Sequence, residues 1–433
     1  GTPPRLDGRT IDWEAFERQP ADERPVPFSF STDSVDQRQI DCYVGYTTED
    51  VHEAIRQNLQ ESPLYSGRIK GIGPRYCPSI EDKVVKFGDK NRHQLFLEPE
   101  GHDTNEVYLN GFSTSLPAEL QQQLVRMVPG LGQARIIRPG YAIEYDYVDP
   151  RELGPDLQTA RVQGLFHAGQ INGTTGYEEA ACQGLLAGIN AALFVRNGKC
   201  FRLRREESYI GVLIGDLITN GVDEPYRIFT SRAENRLALR HDNADRRLLP
   251  YGRSLGLIAD DDWKRFEARR ERIETLGKTL EGTRLKRSDK EYEPISAIVG
   301  GDLGDSITLG QLAKRSSVEA ETIRSLLPLS ARQDTKIEDL ESALADSLYA
   351  GYLKVQQAAI TRLHQHDSLQ LPETFNYASL SGLSHEMVER LERSRPRTFG
   401  EARKVPGLTV AALSALLVSL SVAGGARNVS RVP

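Results

Sequence analysis

The 433-residue chain has little of what several protein classes are built from. Four cysteines are too few for a disulfide-stapled domain, and none of them shows the paired spacing of a zinc site. The formal net charge of −6 excludes a globally basic nucleic-acid-binding protein and leaves only a local basic surface for such a role. We therefore predict no metal site and a reducing, cytoplasmic environment, with a mitochondrial one as the open alternative.

Long apolar runs are also scarce. The chain lacks charge from Val405 to Ala426, but Pro406 and Gly407 interrupt this stretch. Its continuous helical part, from 409 to 422, is shorter than the roughly 20 residues that a bilayer requires. The sequence predicts a buried core helix here and no membrane partner.

The first part of the chain is predicted to be mixed α/β. Short stretches of alternating apolar and polar residues indicate strands, and apolar residues at helical spacing from 49 to 59 indicate a helix. A predicted strand from 161 to 168, a glycine-rich turn and a helix from 177 to 197 follow. The earlier strands are expected at 40–46, 94–98 and 106–109, and as a pair within 135–147.

Beyond this helix the pattern becomes helical. The acidic triplet Asp260–Asp262 marks a helix start, and a long amphipathic helix is predicted from 337 to 363. Two short helices are expected after Ser384 and Thr409, and the polar segment 282–304 is predicted to be a loop. The predicted fold class is therefore an α/β region followed by an all-α region.

The strongest local motif is the glycine-rich turn between the predicted strand and helix. Such a turn lets backbone N–H groups and the positive end of the helix dipole approach a ligand. The alternative is a tight βα turn that binds nothing. The candidate binding residues are Gly169, Gln170, Asn172, Gly173, Gly176, Tyr177 and Glu178.

A second motif surrounds Cys77. The pair Gly71-x-Gly73 in front of it is a weak dinucleotide fingerprint. Cys77 itself lies beside Arg75 and just before a predicted helix start at Ser79, and a cation and a helix N-terminus both lower a thiol pKa. That setting suits a nucleophile or a proton donor. The alternative is a buried structural cysteine, which is our interpretation of Cys42, Cys182 and Cys200.

A run of arginines forms the third motif. Arg232, Arg236 and Arg240 are spaced by four, which predicts one stripe on a helix. Arginine side chains suit phosphate oxygens and therefore RNA backbones. The alternative is a solvated helix face with structural ion pairs. The candidate RNA-binding residues are Arg232, Arg236, Arg240, Arg246 and Arg247.

In this order the three motifs resemble those of the MnmG (GidA) family of tRNA wobble-uridine modification enzymes. Residues 73–83 and 168–180 are similar to the family's two signature segments almost residue for residue, and 229–237 is similar to a third. The resemblance runs over nearly the whole chain.

The resemblance implies part of an FAD-binding Rossmann-like domain with an inserted mixed α/β domain, followed by an all-α region. Residues 1–150 would be the inserted, NAD-associated domain, 151–202 the closing part of the FAD-binding domain, and 203–433 the helical region for tRNA and partner binding. The family's N-terminal Gly-x-Gly-x-x-Gly unit is not in this sequence. We therefore expect a chain that lacks the N-terminal FAD-binding segment of a longer protein.

The resemblance also implies the chemistry. Family members use FAD, NADH and methylene-tetrahydrofolate, work with a GTPase partner of the MnmE type, and form homodimers. They add a carboxymethylaminomethyl or aminomethyl group at carbon 5 of the wobble uridine. Cys77 would be catalytic, and Gln170 with its glycine-rich neighbours would hold FAD. The NAD segment would contain Gly73, Pro74, Arg75, Tyr76, Ser79, Glu81, Lys83 and Phe87.

Two other functions remain open from the sequence. One is a folate-dependent tRNA uridine methyltransferase of the TrmFO type, although those relatives lack a long helical C-terminal region. The other is a non-catalytic fragment that binds tRNA or the GTPase through its helices and carries no flavin.

Overall fold

The computed structural model describes the chain except residues 24, 33, 70–78, 404, 406, 407, 409 and 430–433. The chain divides into two compact units. The first contains residues 1–200 and 221–227, and the second contains residues 201–220 and 228–433. The predicted order of an α/β region followed by a helical region is confirmed. The finer division at residues 150 and 202 stays a prediction.

The first unit is built on an antiparallel sheet of six strands. The strands are β1 (Arg5–Asp7), β2 (Glu17–Gln19), β3 (Cys42–Tyr46), β4 (Gln94–Pro99), β5 (Glu106–Asn110) and β6 (Ile136–Arg138). Their order in the sheet is β2-β3-β4-β5-β1-β6. The predicted strands at 40–46, 94–98 and 106–109 are confirmed as β3, β4 and β5.

One face of this sheet packs against three helices: α1 (Glu49–Gln57), α2 (Ile80–Lys86) and α3 (Ala118–Arg126). Strands alternate their side chains between two faces, so Leu95 and Leu97 of β4 point to the same side and are fully buried. The alternation of apolar and polar residues thus places the core of this unit between sheet and helices.

Two strand predictions in the first unit are wrong. Within 135–147 only β6 forms, because Pro139 follows it and cannot donate to a strand ladder. The segment 161–168 folds back on itself instead of extending, since Gly164 has a φ of 81° and the N–H of Leu165 donates to the carbonyl of Val162 at 3.2 Å. The helix predicted after the turn is confirmed as α4 (Tyr177–Val195).

The second unit is mainly helical, with buried cores that include Leu276, Leu280 and Leu340 and, separately, Leu391 and Phe399. Its helices are α5 (Tyr209–Asn220), α6 (Ala244–Ser254), α7 (Asp260–Gly282), α8 (Tyr292–Val299), α9 (Leu309–Leu312), α10 (Ala320–Leu326), α11 (Leu329–Arg332), α12 (Ile337–His364), α13 (His385–Ser394), α14 (Phe399–Ala402) and α15 (Val410–Val429).

The loop predicted for 282–304 is wrong. This segment contains α8 and strand β7 (Arg284–Lys286), which pairs with β8 (Ser306–Thr308). Polar residues dominate the segment, but Leu285 and Tyr292 are buried and join it to the core. A short two-stranded sheet therefore interrupts the predicted all-α region.

The predicted helix starts are confirmed, with one difference at α7. The end predicted for the last helix is wrong, because α15 continues past 422 to Val429. Ala259 occupies its N-cap, so Asp260–Asp262 lie in the first turn, where carboxylates favour the helix dipole. α13 begins directly after Ser384 as predicted, and Ser384 caps it by accepting a hydrogen bond from the N–H of Met387. In the described part of the chain, no helix is long and apolar enough to cross a membrane.

Candidate functional site

The glycine-rich turn is the best-defined candidate site. Gly169–Asn172 form a short 3₁₀ helix, and Gly173 ends it in the left-handed conformation with a φ of 81°. Gly169 has a φ of 82°, and a Cβ there would also lie 3.3 Å from the Cβ of Ala180. Both positions therefore require glycine because of backbone geometry. The turn lets the chain enter α4 with close packing.

A buried network of neutral polar groups holds this turn against α4. Gln183 is fully buried, and its Oε1 accepts hydrogen bonds from the N–H of Gly169 and from Nδ2 of Asn172, both at 2.9 Å. Its Nε2 donates to Oγ1 of Thr174 at 2.6 Å, and that hydroxyl donates to the carbonyl of Gly169 at 2.7 Å. The turn is thus braced from the helix side.

Three polar atoms around the turn are buried without a hydrogen-bond partner among the described residues. They are Nδ1 of His167, Oδ1 of Asn172 and Oγ1 of Thr175. Buried polar atoms in folded proteins are nearly always paired, so a cluster of unpaired ones indicates a missing partner. A ligand with both donor and acceptor groups, such as a flavin, fits this set.

The segment 221–227 packs back onto the turn. The N–H of Tyr226 donates to the carbonyl of Gly173 at 3.0 Å. Tyr226 and Thr174 form an isolated parallel β-bridge. Arg227 donates from Nε to Oε1 of Glu179 at 3.0 Å, and the Glu179 side chain is 1% exposed. This ion pair ties the first turn of α4 to the segment 221–227.

The entrance to α4 is open but acidic. Its N-cap, Gly176, offers no side-chain cap, and Tyr177 is 91% exposed. Glu178 and Glu179 both lie in the first turn, so carboxylates of the chain already face the positive end of the helix dipole. These carboxylates disfavour an anionic group at this helix start and favour a ligand that is recognised through hydrogen bonds. Gln170, in the turn before this helix, is half-buried.

The second motif lies partly outside the described residues. Gly73, Pro74, Arg75, Tyr76 and Cys77 all fall within 70–78, so their predicted roles stay predictions.

The described part of this motif is engaged inside the first unit. Ser79 caps α2 in a capping box with Asp82. Glu81 is fully buried, and its Oε1 accepts from the backbone N–H of Ser115 at 3.1 Å. Nζ of Lys83 donates to the carbonyl of Gly111 at 2.9 Å. Phe87 is exposed, with Nζ of Lys90 5.4 Å from its ring centre. These contacts place α2 and leave the predicted NAD role untested.

Two of the remaining cysteines have thiols that are hard to ionise. Burial, with a smaller effect of the Glu179 carboxylate, raises the pKa of the Cys182 thiol to about 12. Burial likewise raises the pKa of Cys42. A thiol with a raised pKa is a poor nucleophile, which fits the structural interpretation of these two residues.

The prediction that Arg232, Arg236 and Arg240 form one stripe on a helix is wrong. The segment 232–240 contains only the end of a 3₁₀ turn, Thr230–Arg232, followed by turns, because Ala233 takes an extended conformation that stops helix growth. The three arginines therefore do not share one helix face. Arg232 lies 5.9 Å from the ring centre of Phe229, and Arg236 is exposed.

The remaining candidate arginines are turned inward. Arg240 is 10% exposed and binds Asp242 at 2.8 Å and Asp346 at 2.5 Å. Arg246 binds Asp346 at 2.5 Å as well. Arg247 donates to the carbonyl of Arg240 at 3.0 Å. Their contacts hold the second unit together, and their predicted RNA contacts remain untested.

Comparison with known proteins covers most of the chain. The family described as "Glucose inhibited division protein A" matches residues 1–199. The family described as "tRNA modifying enzyme MnmG/GidA C-terminal helical domain" matches 260–357, and the corresponding "C-terminal helical bundle" matches 359–431. The three matches follow the α/β and helical regions in order.

Relatives and solved structures agree with these matches. A protein of Thermodesulfovibrio yellowstonii named "tRNA uridine 5-carboxymethylaminomethyl modification enzyme MnmG" is 47% identical over 97% of this chain and 67% of its own length. A relative of the same name from Geobacter metallireducens is 49% identical over 98% of this chain and 68% of its own length. The structure of Aquifex aeolicus GidA in its form II crystal superposes with a TM-score of 0.74 at 42% identity, over 97% of this chain and 66% of that one.

The chain therefore spans about two thirds of the length of the relatives that it matches. Sequence identity of this level over nearly all of the chain, together with the shared fold, establishes the relationship. The chain belongs to the MnmG/GidA family.

Proposed function

We propose that the chain acts in modification of the wobble uridine of tRNA, by addition of a carboxymethylaminomethyl or aminomethyl group at carbon 5. The observation that carries this proposal is the 47% identity, over 97% of the chain, to a relative named for uridine 5-carboxymethylaminomethyl modification. The matched helical domain and bundle also count against a methyltransferase of the TrmFO type.

FAD is the proposed cofactor at the glycine-rich turn, where it would supply electron-transfer chemistry. Support comes from the two left-handed glycines, which permit close backbone approach, and from the unpaired Oδ1 of Asn172 and Oγ1 of Thr175. The residues proposed to hold it are Gly169, Gln170, Asn172, Gly173, Gly176, Tyr177 and Glu178.

Other components of the proposal rest on the resemblance of the motifs. They are NADH at the segment that begins at Gly73, methylene-tetrahydrofolate as one-carbon donor, a GTPase partner of the MnmE type, a homodimer and a cytoplasmic location. Cys77 is the proposed catalytic group, as the nucleophile or proton donor toward the uridine. For tRNA contact, the exposed Arg236 and the Arg232–Phe229 pair are the most accessible members of the third motif.

The proposal is tested by reconstitution. The purified chain is combined with unmodified tRNA, FAD, NADH, methylene-tetrahydrofolate and an MnmE-type GTPase with GTP, with ammonium or glycine as nitrogen donor. The tRNA is then digested, and its nucleosides are analysed by mass spectrometry. We expect a uridine heavier by an aminomethyl or carboxymethylaminomethyl group. A product carrying only a methyl group would instead support the methyltransferase.

Two cysteine variants sharpen this test. Cys77→Ala should abolish the product, because no other group is proposed to activate the uridine. Cys200→Ser is the matched control, since Cys200 is an exposed cysteine outside the proposed site. Undiminished modification by Cys77→Ala would remove Cys77 from the proposal. A chain that binds tRNA but neither takes up flavin nor forms product would be the non-catalytic fragment.

A further inference from the structure

Gln183 was not singled out by its sequence, yet its side chain is fully used by the glycine-rich turn. An amide has two N–H donors and an oxygen with two lone pairs. Oε1 of Gln183 accepts from Gly169 and Asn172, and Nε2 donates to Oγ1 of Thr174 and, at 3.1 Å, to the carbonyl of Glu179. Gln183 therefore has no capacity left for a ligand of its own.

Backbone groups at both ends fix the orientation of these amides. The N–H of Gly169 can only donate, so the Gln183 atom that faces it is the oxygen. The carbonyl of Glu179 can only accept, so the other Gln183 atom is the nitrogen. Asn172 must then turn its Nδ2 toward Gln183, and the same Nδ2 also donates to the carbonyl of His167 at 3.0 Å.

One atom is left over by this arrangement. Asn172 is fully buried, both its donors are directed at the chain, and its Oδ1 has no partner among the described residues. A buried carbonyl oxygen without a donor is unfavourable. The missing partner must carry an N–H or O–H group, and a flavin has both, on its ring and on its ribityl chain.

We propose that Gln183 is a positioning residue: it holds the glycine-rich turn and presents the carbonyl oxygen of Asn172 to an N–H or hydroxyl donor of the flavin. The inference rests on the proposed function, because it takes the flavin as the ligand. It adds that the site recognises a hydrogen-bond donor through Asn172, at a helix start where Glu178 supplies negative charge and Glu179 is paired with Arg227.

Gln121 provides a matched control within the same unit. It is also fully buried, its Nε2 donates to the carbonyls of Leu116 at 2.6 Å and Gly140 at 2.8 Å, and its Oε1 accepts from the N–H of Gly140 at 2.7 Å. Loss of the Gln121 side chain should therefore destabilise the first unit about as much as loss of the Gln183 side chain. The hydrogen-bond partners described for the Gln121 side chain, Leu116 and Gly140, lie outside the glycine-rich turn.

The test is titration of the whole chain with FAD, followed by flavin fluorescence and by the position of the visible absorption band, with thermal unfolding recorded for each variant. Gln183→Leu should raise the Kd for FAD about ten- to a hundredfold and move the band toward that of free flavin. Gln121→Leu should lower the unfolding temperature comparably and leave the Kd within about twofold of the wild type. If Gln183→Leu does not fold, Asn172→Ser takes its place, because it removes Oδ1 of Asn172 directly. Asn172→Ser should weaken FAD binding to the extent expected for Gln183→Leu.

The outcomes separate this inference from the proposed function. Wild-type binding that Gln183→Leu leaves unchanged overturns the role of Gln183 and leaves the flavin proposal standing. Equal losses of affinity in Gln183→Leu and Gln121→Leu also overturn it, because both would then report general loss of folded protein. A wild-type chain that does not bind FAD contradicts the flavin proposal and this inference together.

Discussion

The glycine-rich turn and the arginine-rich part of the second unit both contain candidate residues of the sequence motifs, but they use their polar groups in opposite ways. In the turn, neutral groups pair with one another, and a few buried atoms such as Oδ1 of Asn172 are left over. In the second unit, arginines meet carboxylates directly. We call the latter set the arginine network: Arg240, Arg246, Arg269 and Arg272 with Asp242, Asp245, Asp339 and Asp346.

The difference between leftover neutral groups and paired charges helps to separate binding residues from structural ones. A buried charge is costly unless it is paired, so the arginine network pairs its charges internally and has structural value, although Nε of Arg246 has no hydrogen-bond partner among the described residues. A buried neutral atom without a partner is tolerated more easily, and it leaves capacity for a ligand. Leftover hydrogen-bonding capacity is therefore a better guide to a site than the density of functional residue types in the sequence.

The strongest test of this contrast removes a charge from the arginine network. Arg269 is 14% exposed, and it pairs with Asp245 and Asp339, whose side chains are 1% and 3% exposed. Arg269→Met keeps the apolar stem but leaves Asp245 buried without its ion pair, which should cost about 3 kcal/mol of unfolding free energy. Urea unfolding followed by Trp263 fluorescence in a Trp13→Phe background would measure it, since Trp263 lies in the second unit.

Arg270→Met is the neighbouring control. Arg270 is 46% exposed, and its contact with Glu267 is 3.9 Å long, so its loss should cost less than about 0.5 kcal/mol. Similar losses from both variants would show that the arginine network does not stabilise the second unit through its buried pairs.

The next test uses two adjacent threonines of the glycine-rich turn. Oγ1 of Thr174 both accepts from Gln183 and donates to Gly169, whereas Oγ1 of Thr175 is unpaired. Thr174→Val should destabilise the turn by about 1–2 kcal/mol, seen as amide exchange about 5- to 30-fold faster across the turn. Thr175→Val should leave exchange unchanged but weaken FAD binding. Equal exchange rates in the two variants would contradict the described network.

Sequence reasoning located the glycine-rich turn correctly, because the glycines at 169 and 173 have a local cause in backbone conformation. It also located the strands and helices whose periodicity follows from burial on one face, such as β4 and α12. These features depend on residues close together in the chain, which is why the sequence alone predicts them.

Features that depend on distant partners were missed. The spacing of Arg232, Arg236 and Arg240 suggested a helix stripe, but Arg240 binds Asp346, which lies more than a hundred positions away in the chain. Arg227 was missed for the same reason, since Glu179 lies 48 positions away. The partners of Gln183 lie within 14 positions, but they meet its side chain only when the glycine-rich turn packs against α4. The sequence signal for Gln183 was an amide within a mainly apolar helix, a signal that Asn190 shares.

A smaller expected effect is that the stability of the two units depends differently on pH. His52 and His93 are buried in the first unit with rings 4.9 Å apart, and burial lowers the pKa of both below the usual 6.5. Glu49 opposes this shift at His52, while Arg56 reinforces it; Lys83 and Lys90 reinforce it at His93. The unfolded chain therefore binds more protons, so stability is complete above pH 6.5 and falls as the pH drops below it.

Urea unfolding at about pH 7.5 and about pH 5.5 would measure this, with Trp13 as the probe of the first unit in a Trp263→Phe background. Among the side chains that the structure describes, no histidine of the second unit is buried, so its midpoint should change less. A pH response of the same size in both units would rule out the histidine pair as its source.

The smallest expected effect concerns the exposed end of the third motif. Arg236 is exposed, whereas Arg240 is held by Asp242 and Asp346, so of these two Arg236 is the one directly available to an RNA phosphate. Arg236→Ala should weaken tRNA binding by about two- to fivefold and lower the salt slope of log Kd by about one, without changing the urea midpoint. Arg240→Ala should instead lower the urea midpoint, because it leaves two carboxylates with one charge fewer to bind. If Arg240→Ala weakens tRNA binding more than Arg236→Ala while the second unit stays equally stable, then the paired arginine exchanges its carboxylates for phosphate on binding, and the contrast between the two motifs would hold only for the unbound chain.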